Sequence, residues 1–245
     1  MSGDGLAHRL RRRLLPSFDL MLLERCRLLR CVEPGSRVLD AGCGDGTMAF
    51  RLARRGCRVV GVTYDAEAVA TLRQRRDREG FGPDQLDVQV HDLREGTPPG
   101  GPYDAALCFD VLEHLLDDRG ALGHVAEAVR DGGRVLITVP DRSAPPLWGD
   151  TVSAVEDGGH VRAGYTREEL EALVRGAGLR PVRWRGFGGF VAQTATNVSR
   201  RLERRAGRPW LWLRFLSLAA LRPLCRLDPL VPHPACGLFC RAHKP

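Results

Sequence analysis

The side chains that could do acid–base or metal chemistry in this sequence lie in two short stretches. Glu113 and His114 follow Asp110 by three and four residues, a spacing that places all three along one side of a helix. Carboxylate and imidazole groups at that spacing could hold a divalent metal, which would activate a phenol by lowering its pKa. Alternatively, Glu113 and His114 only shape a pocket by hydrogen bonding. The second stretch, residues 159–165, contains His160. His160 and His114 are candidate general bases because imidazole titrates near neutral pH.

A glycine-rich loop is the most informative pattern in the chain. The apolar run 37–39 predicts a short buried strand, which Asp40 and glycines at positions 42, 44 and 46 follow. A helical pattern runs from 48 to 54, and this order of strand, glycine turn and helix is typical of a nucleotide site in an open α/β sheet. Glycines let the backbone approach a ligand, and the helix N-terminus offers free N–H groups. The loop is shorter than the dinucleotide pattern G-x-G-x-x-G.

Strand and helix patterns alternate on both sides of this loop. Apolar runs predict strands at 59–62, 86–90, 105–109, 134–139, 182–184 and 237–242. Helical patterns cover 6–31, 66–78 and 122–130, and a capping box of Thr166 and Glu169 starts a further helix that ends at Gly176 or Gly178. We therefore predict an α/β, Rossmann-like fold. Its mostly parallel seven-stranded sheet has helices on both faces and a helical insert before the last strand.

The form Asp-x-Gly-x-Gly-x-Gly after a strand resembles motif I of the class I S-adenosylmethionine (SAM) methyltransferases. His91-Asp92-Leu93 after the third strand and Gly132-Gly133 before the fifth also resemble that family. The segment 109–115 resembles the one that closes over SAM in small-molecule methyltransferases, including the ubiquinone-pathway O-methyltransferases. The resemblance covers roughly residues 35–185. It implies a methyltransferase that uses SAM as cofactor and acts on a small, apolar or aromatic acceptor. Methyl transfer to an oxygen atom of the acceptor is favoured over transfer to nitrogen or carbon.

The same resemblance implies the cofactor-binding residues. Gly42 and Gly44 would let the backbone pack against the methionine part of SAM, and Asp40 would accept hydrogen bonds near its ammonium group. Thr63 occupies the place where most relatives have an acidic residue that binds the ribose hydroxyls. Thr63 could still bind one hydroxyl, or Asp65 could bind it instead; alternatively, Asp65 merely starts the next helix. Asp92 is expected to accept from the adenine amino group. The complete expected set is Asp40, Gly42, Cys43, Gly44, Thr63, Tyr64, Asp92, Leu93, Phe109 and Asp110.

For catalysis, the resemblance makes His160 and His114 the candidate bases, with Tyr165 and Trp148 as acceptor-binding residues. The Glu-His pair occurs widely in this family without metal, so we favour a site with no metal over the ligand set Asp110, Glu113 and His114. Three alternatives stay open: a dinucleotide-binding protein, a non-catalytic SAM-binding protein, and an enzyme of C-methylation or other SAM chemistry on a lipid-like or natural-product substrate.

Charge and composition restrict the partners. The net charge is +7, but Lys244 is the only lysine and many arginines alternate with acidic residues on helical faces. Residues 109–112 also lack the Asn- or Asp-Pro-Pro-aromatic pattern of base-methylating enzymes, so we expect no nucleic-acid partner. His233, Cys236, Cys240 and His243 could form a zinc site, but a final strand is favoured because neighbouring side chains of a strand point to opposite faces.

The predicted organisation is a single domain, 1–245. It consists of an N-terminal helical segment (1–34), a SAM-binding core (35–140), a substrate-side loop, helix and strand (141–185), a helical insert or lid (186–235) and a final strand (236–245). No apolar run reaches the roughly 20 residues of a membrane span and no signal peptide is evident, so we expect a cytoplasmic protein. The apolar, arginine-flanked stretch 209–224 is a lid, a peripheral membrane contact or, as favoured, a helix packed on the sheet. Oligomeric state is left open.

Overall fold

A seven-stranded sheet forms the centre of the computed structural model, which describes residues 20–144, 152–156, 158–203, 228 and 234–245. The strands are β1 Arg37–Ala41, β2 Arg58–Thr63, β3 Leu86–Val90, β4 Tyr103–Phe109, β5 Val129–Pro140, β6 Arg180–Phe187 and β7 Gly237–His243. Their spatial order is β3-β2-β1-β4-β5-β7-β6. The first five strands are parallel, whereas β7 runs antiparallel to both of its neighbours. The predicted fold class is confirmed.

Helices cover both faces of this sheet. They are α1 Leu20–Leu28, α2 Thr47–Ala53, α3 Ala66–Glu79, α4 Asp118–Ala128, α5 Arg167–Gly176 and α6 Phe190–Glu203. Two buried apolar clusters lie on opposite faces, because successive side chains of a strand alternate: Val38 of β1 belongs to one cluster, and Leu39 and Ala41 belong to the other. Burial on both faces explains why the central strands are continuous apolar runs.

Two element boundaries differ from the sequence prediction. The helix expected over 122–130 starts earlier and ends at Ala128, because Val129 already pairs with Tyr103 as the first residue of β5. The strand then shifts register before its regular pairing with β4. At the N-terminal end, α1 is followed by a single 3₁₀ turn, Leu29–Cys31, and the remainder of the expected helix over 6–31 lies outside the described residues.

Cys240 belongs to the last strand of the sheet, as the favoured interpretation expected, and Cys236 directly precedes that strand. Cys240 is buried in β7 between Ile137 of β5 and Trp184 of β6, and the described cysteines are free thiols. The burial of Cys240 in an apolar cluster removes it from the zinc alternative. His233, another member of that set, is outside the described residues. Thr166 and Glu169 form the expected capping box at the start of α5. Among the described helices, none combines the length and apolar character needed to cross a bilayer.

Candidate functional site

The predicted cofactor residues gather where the strand order reverses. β1 and β4 are neighbours, but the chain continues from β1 toward β2 on one side and from β4 toward β5 on the other. In open α/β sheets, the crevice beyond the carboxyl ends of such strands is where ligands bind. The two loops at this point touch: a Cβ atom placed on Gly42 would lie 2.6 Å from Cγ2 of Val111. The glycine is therefore required by the close approach of the two loops.

Gly42 and Gly44 both adopt left-handed backbone conformations, with φ of 71° and 50°. Replacement of either glycine by alanine carries the left-handed penalty of about 1–2 kcal/mol. Only at Gly42 does the added methyl also meet a side chain, since the nearest atom to a Cβ on Gly44 is 4.0 Å away. We therefore expect Gly42→Ala to lower the free energy of unfolding by about 1 kcal/mol or more beyond Gly44→Ala, measured by denaturant titration. Equal losses of unfolding free energy in the two variants would show that the Val111 side chain can move aside at no cost in stability.

Asp40 lies at the base of this loop and is almost fully buried, with 3% of its surface exposed. Among the described residues, no hydrogen-bond donor reaches its Oδ2 atom. Burial raises the pKa of Asp40 to about 7; the backbone N–H of Ala49 opposes this shift and the charge of Asp45 adds to it. An unpartnered, buried carboxylate oxygen beneath a glycine turn is suited to a cationic ligand group. This observation fits the expected ammonium of SAM.

The end of β2 resolves the two interpretations of Asp65. Its Oδ1 atom accepts hydrogen bonds from the backbone N–H groups of Glu67, at 2.9 Å, and Ala68, at 3.1 Å, so it is the N-cap of α3. Asp65 thus starts the helix, as one of the two interpretations held. Thr63, the other ribose candidate, is buried at the end of β2, and Tyr64 beside it is 68% exposed.

Asp92, the expected adenine acceptor, follows β3 and is engaged by its own loop. Its Oδ1 atom accepts from the backbone N–H and the Nε of Arg94, both at 2.9 Å, and the guanidinium Nη2 contacts Oδ2. Hydrogen bonding from Arg94 lowers the pKa of Asp92. Leu93 is buried, and its carbonyl lies 2.7 Å from the Nδ1 of His124 on α4.

The prediction that Asp110, Glu113 and His114 line one side of a helix is wrong. Asp110 has a left-handed φ of 52°, so the helical path is interrupted there, and only one 3₁₀ turn follows, from Leu112 to His114. The Asp110 carboxylate forms an ion pair with Arg25 of α1 and accepts a hydrogen bond from Thr138 at 2.9 Å. Phe109 ends β4 directly before this turn. The Asp110 carboxylate is thereby engaged by Arg25 and Thr138, on elements other than the one that carries Glu113 and His114.

His160 takes the place that the sequence assigned to Asp110. The imidazole rings of His114 and His160 pack edge to face with centroids 4.7 Å apart. One ligand atom each of Glu113, His114 and His160 lies within 4.8 Å of the others, so these three could hold a metal ion. Glu113 is 1% exposed, and no described donor reaches either of its oxygens. Burial, with a contribution from the Asp110 charge, raises the pKa of Glu113 well above its ordinary value.

Hydrogen bonds from its own segment hold this cluster in place. The Nδ1 atom of His114 lies 2.9 Å from the carbonyl oxygen of Gly159. Because a carbonyl oxygen can only accept, Nδ1 carries the proton and Nε2 of the neutral ring is left as an acceptor. The backbone N–H of Val161 donates to the Glu113 carbonyl at 2.9 Å. Both candidate bases are thus held beside one buried carboxyl group.

Protein groups already engage the hydroxyl of Tyr165. The side chain is 5% exposed, and its hydroxyl lies 2.7 Å from a carboxylate oxygen of Asp118 and 3.1 Å from the carbonyl oxygen of Leu112. Arg162 donates to the same oxygen at 3.2 Å. Tyr165 therefore helps to fix the start of α4, and its contact with an acceptor stays a prediction. Trp148, the other acceptor candidate, and residues 209–224 lie outside the described residues.

Comparison with known proteins agrees with this arrangement. The profile of a family described as "Methyltransferase domain" matches residues 6–183. A ubiquinone biosynthesis O-methyltransferase of Xylella fastidiosa (strain M23) is 29% identical over 178 residues, which cover 66% of this chain and 72% of that protein.

Solved structures are similar at lower identity. The crystal structure of the [4+2]-cyclase SpnF has a TM-score of 0.65 at 21% identity and covers 92% of this chain and 81% of that one. Haemonchus contortus phosphoethanolamine N-methyltransferase 2, in complex with S-adenosyl-L-methionine, has a TM-score of 0.60 at 20% identity, over 89% of this chain and 51% of that one. At these identities the likeness shows a common fold.

Proposed function

Because this chain belongs to the methyltransferase-domain family and is a class I SAM-dependent methyltransferase, we propose that it methylates an oxygen atom of a small, apolar or aromatic acceptor. The observation that carries the choice of oxygen is the pairing of His114 with His160 beside the cofactor loops. A hydroxyl of high pKa needs a base to take its proton, and imidazole is suited to that task near neutral pH. The relative named for O-methylation supports the same choice.

Different residues of this chain bind different parts of the cofactor. We assign Asp40 and the glycines at 42 and 44 to the methionine part of the cofactor, Thr63 to the ribose and Asp92 to the adenine. The orphaned oxygen of Asp40 and the close approach at Gly42 are the features that fit this ligand. When bound, SAM supplies an already activated methyl sulfonium, so correct placement of the acceptor accounts for much of the catalysis.

The histidines then act on the acceptor. His160 accepts the hydroxyl proton, and His114, oriented by the Gly159 carbonyl, holds the neighbouring imidazole edge to face. Bound SAM would supply the methyl group that the ionised acceptor oxygen receives, and the acceptor's proton would stay on the His160 imidazole. Glu113, whose pKa burial raises well above its ordinary value, lines the same cluster.

Acceptors that differ at one atom test this assignment. The enzyme would be incubated with trideuteromethyl-SAM and a pair of apolar aromatic compounds, a phenol and the matching aniline. We expect the label on the phenol oxygen and at least about tenfold less product from the aniline, whose neutral nitrogen gains nothing from a base. Label found only on nitrogen or on ring carbon would refute oxygen transfer, the latter in favour of C-methylation.

We propose further that this transfer needs no metal, since Asp110 is committed to Arg25 and Thr138 and leaves a single carboxyl group beside the two imidazoles. Pre-treatment with EDTA is therefore expected to leave kcat within about twofold of the untreated enzyme, because a proton-accepting imidazole does not depend on a cation. The measurement is the methylation rate before and after dialysis. A lost rate that Mg²⁺ or Zn²⁺ restores would instead assign Glu113, His114 and His160 to a metal.

A further inference from the structure

Glu156 joins three loops around the site. Its Oε1 atom accepts a hydrogen bond from the backbone N–H of Leu116 at 2.5 Å, and its Oε2 atom forms an ion pair with Arg94. The Glu156 side chain is 17% exposed, so this carboxylate is largely shielded from water. It therefore connects the segment after residue 152 with the loop that follows β3 and with the loop that follows the 3₁₀ turn.

Arg94 carries this connection to the cofactor side. The same guanidinium that meets Glu156 also grips Asp92 through Nε and Nη2. A planar guanidinium presents several donors in a rigid fork, and it can bridge two carboxylates in a way that a lysine ammonium cannot. Arg94 is thus shared between the residue assigned to adenine and a residue on the acceptor-side segment.

The segment that Glu156 holds is the one that contains His160. The backbone N–H of Ser153 donates to the carbonyl oxygen of His160 at 2.8 Å, which links the two ends of the segment. Further along, Val161 bonds to Glu113 and Gly159 to His114. The position of His160 is consequently set on one side by Glu113 and His114 and on the other side by the segment that Glu156 holds.

We propose that Glu156 is a positioning residue that acts through Arg94 to couple occupation of the adenine site at Asp92 to the placement of the His160 segment. This inference rests on the roles proposed above for Asp92 and His160. A donor group that binds Asp92 competes with Arg94 for the lone pairs of that carboxylate. The Arg94 guanidinium is then free to strengthen its ion pair with Glu156. The backbone amides of peptides covering 152–162 are thereby expected to exchange more slowly. Coupling of this kind is reciprocal, so a fixed segment also strengthens cofactor binding.

Hydrogen exchange measured by mass spectrometry tests the coupling without any acceptor. In the unaltered protein, S-adenosylhomocysteine is expected to slow amide exchange in peptides covering 152–162 by about threefold or more, a change consistent with a modest ion-pair coupling. In Glu156→Gln the same ligand should change that exchange by less than about 1.5-fold. Glutamine keeps an oxygen for the Leu116 N–H but loses the charge that holds Arg94, so the variant isolates the ion pair.

Two further variants make the result specific. Arg94→Lys keeps a positive charge near Asp92 but cannot span both carboxylates, and it should also lose the effect of the ligand on exchange. Glu171→Gln removes the exposed pair with Arg175 on α5 and should behave like the unaltered protein. Thermal unfolding of each variant separates a loss of coupling from a loss of folding.

The outcomes are separable from those of the oxygen proposal, because no methyl transfer is measured. Ligand-induced slowing that persists in Glu156→Gln would overturn the coupling, as would unaltered protein in which the ligand leaves 152–162 unaffected. If the coupling is correct, Glu156→Gln also weakens S-adenosylhomocysteine binding by about the same factor as the lost protection, as calorimetry can determine.

Discussion

Replacement of His160 by alanine is expected to lower kcat by about 10²–10⁴-fold and to leave the affinity for S-adenosylhomocysteine within about twofold. The imidazole packs on His114 and lies near Glu113, whereas the assigned cofactor residues lie at the carboxyl ends of β1, β2 and β3 and on the loops that follow them. Loss of the base therefore removes proton transfer without removing a cofactor contact. Single-turnover methylation and calorimetric titration measure the two quantities separately.

A second histidine provides the matched control for this variant. His243 of β7 lies opposite Arg134, near the amino ends of the parallel strands, whereas the site lies beyond their carboxyl ends. His243→Ala should keep its kcat, which would show that the loss in His160→Ala is not a general consequence of removing an imidazole. Added imidazole should restore part of the rate in His160→Ala. Full activity of that variant would make the base assignment wrong and leave His114 as the remaining candidate.

The parts of the structure that could be predicted from sequence depend on short-range signals. The strand, glycine turn and helix around Asp40 follow from periodicity and the conformational freedom of glycine, both of which act within a few residues. The capping box of Thr166 and Glu169 is local in the same sense. Because parallel strands end at the same side of the sheet, the residues that follow β1, β2 and β3 lie near one another, and their role in cofactor binding stays a prediction.

The errors arise where the chain departs from regular geometry or where contacts span the fold. The helical spacing of Asp110 with Glu113 assumed continuous helical dihedrals, and a single left-handed residue invalidates that assumption. Nothing in the sequence near Arg25 indicates that it pairs with Asp110, since α1 meets that loop only in the folded protein. The link from Arg94 to Glu156 was missed for the same reason: each is an ordinary surface charge until the segments meet.

Asp40 should make the stability of the ligand-free protein depend on pH. Its pKa is about 7 in the folded protein and 3.8 ordinarily, so the unfolded chain binds fewer protons at this site between those values. Stability from this group is therefore fully present below about pH 4 and is lost as the pH rises to about 7, by on the order of 4 kcal/mol. Asp40→Asn, which cannot ionise, should remove this dependence from denaturant titrations.

The same carboxyl group should make cofactor binding depend on pH in the opposite sense. A cationic ammonium beside Asp40 favours the carboxylate, so binding below pH 7 must first remove a proton. With a pKa of about 7, the affinity for S-adenosylhomocysteine is expected to fall about tenfold between pH 8 and pH 6. Calorimetry across that range measures the affinity, and comparison of buffers with different ionisation heats measures the released proton.

Two asparagine variants on the same loop separate this effect from others. Asp40→Asn should weaken binding at pH 8 by about 10–100-fold, the value of a hydrogen bond to a charged group, and the remaining affinity should no longer change between pH 8 and pH 6. Asp45→Asn is the comparison, since Asp45 accepts a hydrogen bond from the Thr47 N–H just before α2 and asparagine can still accept that bond. Because the Asp45 charge contributes to the raised pKa of Asp40, Asp45→Asn should keep a pH-dependent affinity but move its midpoint to lower pH. An unchanged pH profile in Asp40→Asn would mean that another group titrates, and that the orphaned oxygen of Asp40 does not meet the ligand's charge.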